Sequence, residues 1–502
     1  MSSRPSVVFA NAILGTLLVA ATLSPHVRAQ QPPGSEPGGA EPLSKLKADI
    51  LETSTSPGVQ RGTWGVAVQS LDRHERLFSL NPDILLVPAS TAKLVTVAAA
   101  AEAVGWDYRY ETTVSATGPI SRGVLHGDLL VVGSGDPTIG GRAGAGLFSW
   151  VAAIRAAGVR RIEGRIIGDD NAVEEPRPQL AWAWDDLGYS TGAVFGALNL
   201  AENRIFLTIA PGPAIGTPTH ISVEPQATSR PIANRSLTSQ RGSTTALWPE
   251  QRPGETYVTI DGTLAVGASP VTLAVSAGNP TAWFVDVLRH QLATAGIEIT
   301  GRAYDVDDLE SAVPTASASV LHRHRSEPLS TIVQPLLKES INLYAEAALR
   351  LNVPPGVFPT NDAALAAVTA RLSSWGAPAG SHQLVDGSGL SRRDALTANT
   401  IMTVLTRVAD PSGASPLLRG LPVAGVDGSL AQRMRGTAAA GNVRAKTGTM
   451  SNIRSLAGYV TSRDGERLAF VILVNNFEGT GAQATSAIDA MAVRLANFSR
   501  QP

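Results

Sequence analysis

The stretch VPASTAKLVTVAAAAEAVG, residues 87–105, places a serine and a lysine at the start of a long apolar run. Pro88, Ser90 and the Ala-rich sequence after them favour a helix whose first turn includes or adjoins Ser90. Residues three apart share a helix face, so Ser90 and Lys93 would lie one turn apart. Only five of the 41 basic residues are lysines, which indicates that Lys93 has a property that arginine lacks.

That property is the ability to give up a proton near neutral pH. A partly buried lysine can take the proton of a neighbouring serine hydroxyl and turn it into a nucleophile, whereas an arginine stays charged. Taken alone, the pair is equally well explained by a capping serine and a solvated lysine. Ser44 and Lys47 form the same pattern at the edge of a Pro/Gly-rich segment and are interpreted as a chance match.

Two later motifs carry further hydroxyl, amide and amine groups. Ser340 and Asn342 in LLKESINLYAEAALR lie in the loop before, or in the first turn of, an amphipathic helix, where helix capping is the alternative interpretation. Residues 446–449, KTGT, lie on the predicted strand RAKTGTM, where an ordinary surface strand is the alternative. Gly448 would let another molecule approach this backbone closely.

The three motifs in this order resemble those of the penicillin-recognising serine enzymes, the β-lactamases and penicillin-binding proteins. The stretches GDLLVVGSGDPTI, WAWDDLGYSTGAVFGALNL, SINLYAE and DGSGLSRRD look like the class C, low-molecular-mass penicillin-binding proteins, which are D-alanyl-D-alanine carboxypeptidases and endopeptidases. The resemblance covers nearly the whole chain after the linker. It implies an α+β fold, an antiparallel sheet with helices that carries a large inserted, mostly β region of two domains.

The same resemblance implies a role for each motif residue. Ser90 would be the acylated nucleophile and Lys93 the base that activates it. Ser340, helped by Lys446, would pass a proton to the leaving amine, and Asn342 would hold the acyl side of the substrate. No cofactor is implied.

Further positions are expected to bind substrate. The resemblance implies that the backbone N–H groups of Ser90 and Thr449 stabilise the oxyanion. It places Leu390 and Arg392 beside the pocket for the peptide stem, where a Gly-rich turn with a solvated arginine is the alternative. Trp182 and Asp185 would reach the same pocket, unless they are a buried tryptophan and a structural aspartate. The expected substrate-binding residues are Thr447, Gly448, Thr449, Leu390, Arg392, Trp182 and Asp185.

Composition and other motifs disfavour several alternatives. The 41 basic residues balance 42 acidic ones, so no nucleic-acid partner is expected. The absence of cysteine excludes thiol nucleophiles, disulfides and Cys-ligated zinc. His322 and His324 are interpreted as surface residues rather than a metal site, because no carboxylate or cysteine lies at ligand spacing in the sequence.

The N-terminus indicates export. Residues 1–29 combine a basic start, an apolar run and a small-residue cleavage signal, which predicts a secretory signal peptide, with an uncleaved anchor as the alternative. Residues 30–43 are predicted to be a linker. We therefore expect a periplasmic or extracytoplasmic, wall-associated protein without a stable membrane span after cleavage.

The domain order follows from the two ends of the chain. Two strands between 63 and 83, three strands near the C-terminus and a closing helix over 481–498 predict one sheet built from both termini. The catalytic domain would comprise 44–110 and 312–502. The insertion would comprise one domain of 111–134 and 220–311 and another of 135–219.

These observations predict a serine DD-peptidase. Its substrates would be peptidoglycan stem peptides, cleaved through an acyl-enzyme that penicillin inhibits. The alternatives are a β-lactamase and a non-catalytic wall-binding scaffold on the same fold. Whether terminal trimming or cross-link cleavage dominates is left open.

Overall fold

The computed structural model describes residues 40–142, 144, 146–179, 181–225, 229–313, 318–410 and 412–501. The predicted signal peptide and most of the predicted linker lie outside these residues. Helix α1 (Ala40–Ser54) begins inside the predicted linker, because Leu46 and Ile50 bring this segment into the core. None of the helices in the described part of the chain has the length and apolar character needed to cross a membrane.

Ten α-helices are present in the described residues. The nine helices after α1 are α2 (Ala92–Val104), α3 (Phe148–Ala156), α4 (Pro280–Thr294), α5 (Leu329–Lys338), α6 (Asn342–Arg350), α7 (Asn361–Ser374), α8 (Ala398–Val408), α9 (Pro416–Gly420) and α10 (Gly481–Ala496). Short 3-10 helices cover Ala89–Thr91, Trp184–Asp186, Ser190–Gly192, Ala201–Asn203, Val306–Asp308 and Gly428–Leu430.

The strands fall into an N-terminal pair, a long middle series and a C-terminal group. In chain order, the first twelve strands in the described residues are β1 (Thr63–Ser70), β2 (Glu75–Leu80), β3 (Glu111–Ala116), β4 (Ile120–Ser121), β5 (Val124–Leu125), β6 (Leu129–Val132), β7 (Arg161–Ile162), β8 (Ile166–Asp169), β9 (Arg204–Ala210), β10 (His220–Glu224), β11 (Ile232–Asn234) and β12 (Leu237–Ser239). The others are β13 (Ala246–Glu250), β14 (Val258–Ala265), β15 (Val271–Ser276), β16 (Glu298–Ile299), β17 (Ala303–Asp305), β18 (Ser319–Arg325), β19 (His382–Gln383), β20 (Ala395–Leu396), β21 (Arg444–Met450), β22 (Ile453–Thr461) and β23 (Arg467–Asn475).

One antiparallel sheet joins the two ends of the chain, as predicted. Its strand order is β2-β1-β23-β22-β21. Strand β23 is apolar from Leu468 to Val474, and successive side chains of a strand point to opposite faces. Ala469, Val471 and Leu473 therefore pack against α2 and α8, while Phe470 and Ile472 pack against α1 and α10. The sheet is covered on both sides, which explains why β23 lacks the polar alternation of a half-exposed strand.

Helix α2 is the central helix of this domain. Residues 92–100 are all buried, which is the pattern of a helix surrounded by other elements. It packs against α6, α7 and α8, so a lysine in its first turn lies inside the protein and not in solvent. The sequence at 87–105 thus fixes both the centre of the fold and the position of Lys93.

The inserted region is divided differently from the prediction. Strand β18 pairs with β3, so the insertion continues to Arg325, beyond the expected end at 311. Strand β8 pairs with β6 and β17, and β9 pairs with β10 and β15. The predicted boundaries at 134/135 and 219/220 therefore cut through hydrogen-bonded sheets. Local patterns predict strands but carry little information on pairing across long sequence separations.

Candidate active site

The start of helix α2 holds the predicted nucleophile and base in contact. The 3-10 turn Ala89–Thr91 leads directly into α2, and Lys93 Nζ lies 2.9 Å from Ser90 Oγ. Ser90 is half-buried and faces a cavity, whereas the side chain of Lys93 is fully buried. The hydroxyl is accessible to a substrate while its partner amine is kept from water.

Two further acceptors surround the amine. Lys93 Nζ donates to Asn342 Oδ1 at 2.7 Å and to the carbonyl oxygen of Ser388 at 2.6 Å. Burial lowers the pKa of Lys93 to about 8, although the nearby carboxyl groups of Asp386 and Glu346 act in the opposite direction. A substantial fraction of neutral amine is therefore present slightly above neutral pH, as a general base requires.

A second hydroxyl–amine pair lies near the first, with Ser340 lining the same cavity. Lys446 Nζ donates to Ser340 Oγ at 2.9 Å and to the carbonyl oxygen of Thr447 at 2.8 Å. Burial, and then the charge of Lys93, lowers the pKa of Lys446 well below its usual range. Ser340 has φ 61, a conformation that non-glycine residues rarely adopt and that often marks a functional position.

Strand β21 forms one wall of the site. Thr447 and Thr449 line the cavity, and Ser429 Oγ lies 2.7 Å from Thr447 Oγ1. A Cβ at Gly448 would lie 2.0 Å from Ser455 Oγ and 2.7 Å from the carbonyl oxygen of Pro88. The close approach predicted at Gly448 is therefore made by the protein's own chain, which holds the segment before Ser90 against the sheet edge.

A cavity of about 590 Å³ connects these groups. Its predicted members are Ser90, Asp185, Ser340, Asn342, Leu390, Arg392, Thr447 and Thr449. Residues that the sequence reasoning missed also line it, among them Arg142, Asp186, Thr191, Glu202, Arg204 and Glu339. The missed residues come mostly from the insertion, whose return to the active site no local pattern predicts.

The chain from residue 46 to 498 matches the model of the D-Ala-D-Ala carboxypeptidase 3 (S13) family. A D-alanyl-D-alanine carboxypeptidase of Actinomadura sp. is 34% identical over 470 residues, covering 91% of this chain and 85% of the relative. The chain belongs to the S13 family. It is a serine-type D-Ala-D-Ala carboxypeptidase acting on peptidoglycan, which confirms the predicted family, enzyme class and reaction.

Solved structures agree with the S13 assignment. Penicillin binding protein 4 (dacB) of Haemophilus influenzae aligns with a TM-score of 0.77 and 25% identity, covering 89% of this chain and 99% of that one. The same protein complexed with a β-lactam aligns with a TM-score of 0.73 and 24% identity, covering 90% of this chain and all of that one. The α+β fold with inserted domains is confirmed by these alignments.

Trp182 takes a different place in this S13 peptidase from the one predicted. It is buried, is not among the residues that line the cavity, and its Nε1 donates to Asp386 Oδ2 at 2.7 Å. An apolar ring with one donor is stable inside the protein when the donor finds a partner. Trp182 therefore supports the loop that contains Asp386, while the exposed Asp185 reaches the cavity.

That loop, residues 385–394, is built on buried carboxyl groups that the sequence reasoning missed. Asp386 accepts hydrogen bonds from the backbone N–H groups of 388, 389 and 391, and Glu346 accepts from those of 387 and 388. Burial raises the pKa of Glu346 to about 7. Gly389 has φ +76, and a Cβ there would meet the carbonyl oxygen of Ala89 at 2.0 Å. The loop thereby holds the Ser388 carbonyl against the catalytic lysine.

The interpretation as surface residues is wrong for His324, which is buried, while His322 is half-buried. Both lie on β18 and pack against the ring of Trp150, with centroids 5.7 and 5.5 Å away. His324 is buried, and its Nε2 lies 3.3 Å from Asp136 Oδ2. The carboxylate partner comes from a distant part of the sequence, so spacing could not predict it.

Proposed function

We propose that this S13 peptidase cleaves peptidoglycan stem peptides after D-alanine, at a terminal D-Ala-D-Ala bond or a D-Ala to diaminopimelate cross-link, through an acyl-enzyme on Ser90. The observation that carries the proposal is the 2.9 Å contact between Ser90 Oγ and the fully buried amine of Lys93. Neutral Lys93 takes the Ser90 proton as the oxygen attacks the carbonyl carbon. Backbone N–H groups of Ser90 and Thr449 stabilise the resulting oxyanion.

The second pair completes the first half-reaction. Ser340, hydrogen-bonded to Lys446, delivers a proton to the leaving amine of the terminal residue. Asn342 is held by Lys93 and by its own hydrogen bond to the Thr191 carbonyl oxygen, 2.8 Å away, so its amide is positioned to bind the acyl side. Water then releases the acyl group, with the same residues acting in reverse.

The cavity offers charges of both signs to the stem. Asp185 and Arg392 line it beside Leu390, which suits a side chain that carries both an amine and a carboxylate, as diaminopimelate does. Thr447 and Thr449 also line the cavity and bind the terminal carboxylate of the leaving residue. Penicillin, whose carboxylate stands in the same place, acylates Ser90 as an inhibitor.

Peptidoglycan lies outside the cytoplasmic membrane, so the family acts there. We infer that residues 1–29 direct export and are removed, leaving a periplasmic or wall-associated enzyme. Comparison of the N-terminus of the exported protein with the encoded one tests this inference.

Incubation with fluorescent penicillin, together with an assay for D-alanine release, tests the proposed function. We expect a lasting adduct and release of D-alanine from a stem pentapeptide. A rapidly hydrolysed adduct without D-alanine release would indicate a β-lactamase, and the absence of an adduct and of activity would indicate a scaffold.

The rate of penicillin acylation is expected to rise with pH and level off above about 8. The base must be neutral, and Lys93 is protonated below its pKa of about 8. The second-order rate constant should fall about tenfold for each pH unit below that value. Stopped-flow measurement with a β-lactam that does not titrate in this pH range checks the prediction. A rate constant that stays the same between about pH 6 and 9 would contradict the role of Lys93 as the base.

Amidation of the substrate's terminal carboxylate is expected to lower kcat/KM by about tenfold or more, roughly 1.4 kcal/mol. Charge-assisted hydrogen bonds from Thr447 and Thr449 are lost with the negative charge. In a Thr447→Ala, Thr449→Ala double variant the same amidation should matter much less. If the double variant discriminates as strongly as wild type, the carboxylate is recognised elsewhere, with Arg392 as the next candidate.

A further inference from the structure

A group of carboxyl groups lies in the inserted region, away from the catalytic cavity. Asp170 follows β8, Asp305 ends the neighbouring strand β17, and Asp307 lies in the 3-10 turn after it. One carboxylate oxygen from each lies within 4.8 Å of the others. Glu175 lies near them, close enough for electrostatic interaction with Asp170, Asp305 and Asp307.

Two of these groups are deeply buried, and one of the two has an oxygen without a partner. Asp170 is 1% exposed and Asp305 is 4% exposed. Asp170 Oδ2 accepts from Thr281 Oγ1, but Asp170 Oδ1 is enclosed without a hydrogen-bond partner among the described residues. A buried carboxylate oxygen without a partner is costly, so it is expected to have a ligand or a proton.

The group has no positively charged partner in the described part of the chain. Within the described residues, none of the four acids forms an ion pair with lysine, arginine or histidine. Helix α4 begins beside them, with Asn279 Nδ2 donating to Asp305 Oδ2 at 3.0 Å. A helix N-terminus supplies only about half an elementary charge, far less than four carboxylates carry.

We propose that Asp170, Asp305 and Asp307, with Glu175 nearby, bind a hard divalent cation, calcium or magnesium. Carboxylate oxygens are the ligands that these ions prefer. The buried Asp170 oxygen that accepts no hydrogen bond is available to coordinate the ion. Asp307 is exposed, which gives the ion a path from solvent. The sequence predicted no metal, and Asp170 lies far from Asp305 and Asp307 in the chain.

The location gives the cation a structural role. Asp170 lies where the chain leaves β8 for the segment that lines the catalytic cavity at 183–191, and Asn279 and Thr281 lie where it returns into α4. Asn279 donates to Asp305 and Thr281 donates to Asp170, so the chain contacts this group of acids both where it leaves β8 and where it enters α4. An ion bound there would hold the end of β8 and the start of α4 together.

Titration of the chelator-treated full-length protein with calcium chloride and with magnesium chloride, followed by calorimetry, tests the proposal. We expect one ion per chain for at least one of the two metals. Asp307→Asn should weaken this binding at least about tenfold, because an exposed ligand and its charge are lost. Asp308→Asn, which removes the same charge from the adjacent exposed residue, should change the affinity less than about threefold. Penicillin acylation of each variant reports that it is folded.

Two results would overturn the proposal. One is the absence of saturable binding of either metal up to about 10 mM, some ten times the weakest dissociation constants typical of extracellular calcium modules. The other is equal affinity in wild type and Asp307→Asn. In either case the buried carboxyl groups are neutralised by protons alone.

Discussion

Ser90→Ala is expected to lower kcat for D-alanine release at least about ten-thousandfold and to abolish the penicillin adduct. Removal of the nucleophile in serine peptidases has effects of this size or larger. Ser340, the other serine of the site that contacts a lysine, contacts Lys446 and not Lys93, so it is not positioned to take over. Release of D-alanine from a stem pentapeptide and gel fluorescence of the adduct measure the two effects.

Ser44→Ala is the matched control. Ser44 and Lys47 also lie three residues apart on a helix, but both are exposed on α1, so Lys47 lacks the burial that acts on Lys93. We expect wild-type acylation and activity in this variant. Acylation of the Ser90→Ala variant at a rate comparable to that of wild type would mean that another serine is the nucleophile.

Lys93→Arg is expected to slow acylation at least about a hundredfold, the low end of the effect of a positioned general base. The substitution keeps the positive charge near Ser90, Asn342 and the Ser388 carbonyl. A guanidinium does not release its proton near neutral pH, so it cannot accept the serine proton. The second-order rate constant for penicillin measures the loss.

Lys47→Arg, an exposed substitution in the same Ser-x-x-Lys pattern, should leave the rate unchanged. Far-ultraviolet circular dichroism checks that the larger side chain at the buried position 93 does not unfold the protein. A folded Lys93→Arg variant that acylates within severalfold of wild type would make Lys93 an electrostatic residue and require a different base.

The catalytic domain could be predicted from the sequence because its signals are local. Strand alternation at the two ends, the apolar run of α2 and the closing helix each fall within a short window, and Ile488 and Leu495 are buried on α10 as expected. The inserted sheets could not be divided correctly, because β8 and β17 pair across more than a hundred residues. Register between distant strands is set by packing rather than by the local pattern.

The site shows the same limit. The Ser90–Lys93 contact follows from helix periodicity, but the Asn342 and Ser388 contacts that complete the lysine's environment join distant segments. Trp182 was expected to line the cavity and is instead buried against Asp386. The local sequence could not decide this, because a tryptophan is compatible both with a cavity wall and with the protein interior. Glu346 had no signal beyond its position in an amphipathic helix.

The most direct test of the account is mass spectrometry of tryptic peptides after incubation with penicillin. Ser90 is the expected nucleophile, because its hydroxyl contacts the buried amine of Lys93. The expected result is one penicilloyl group per chain, on the peptide that contains Ser90, and none on the peptide that contains Ser44. Label on any serine other than Ser90 would contradict the central claim.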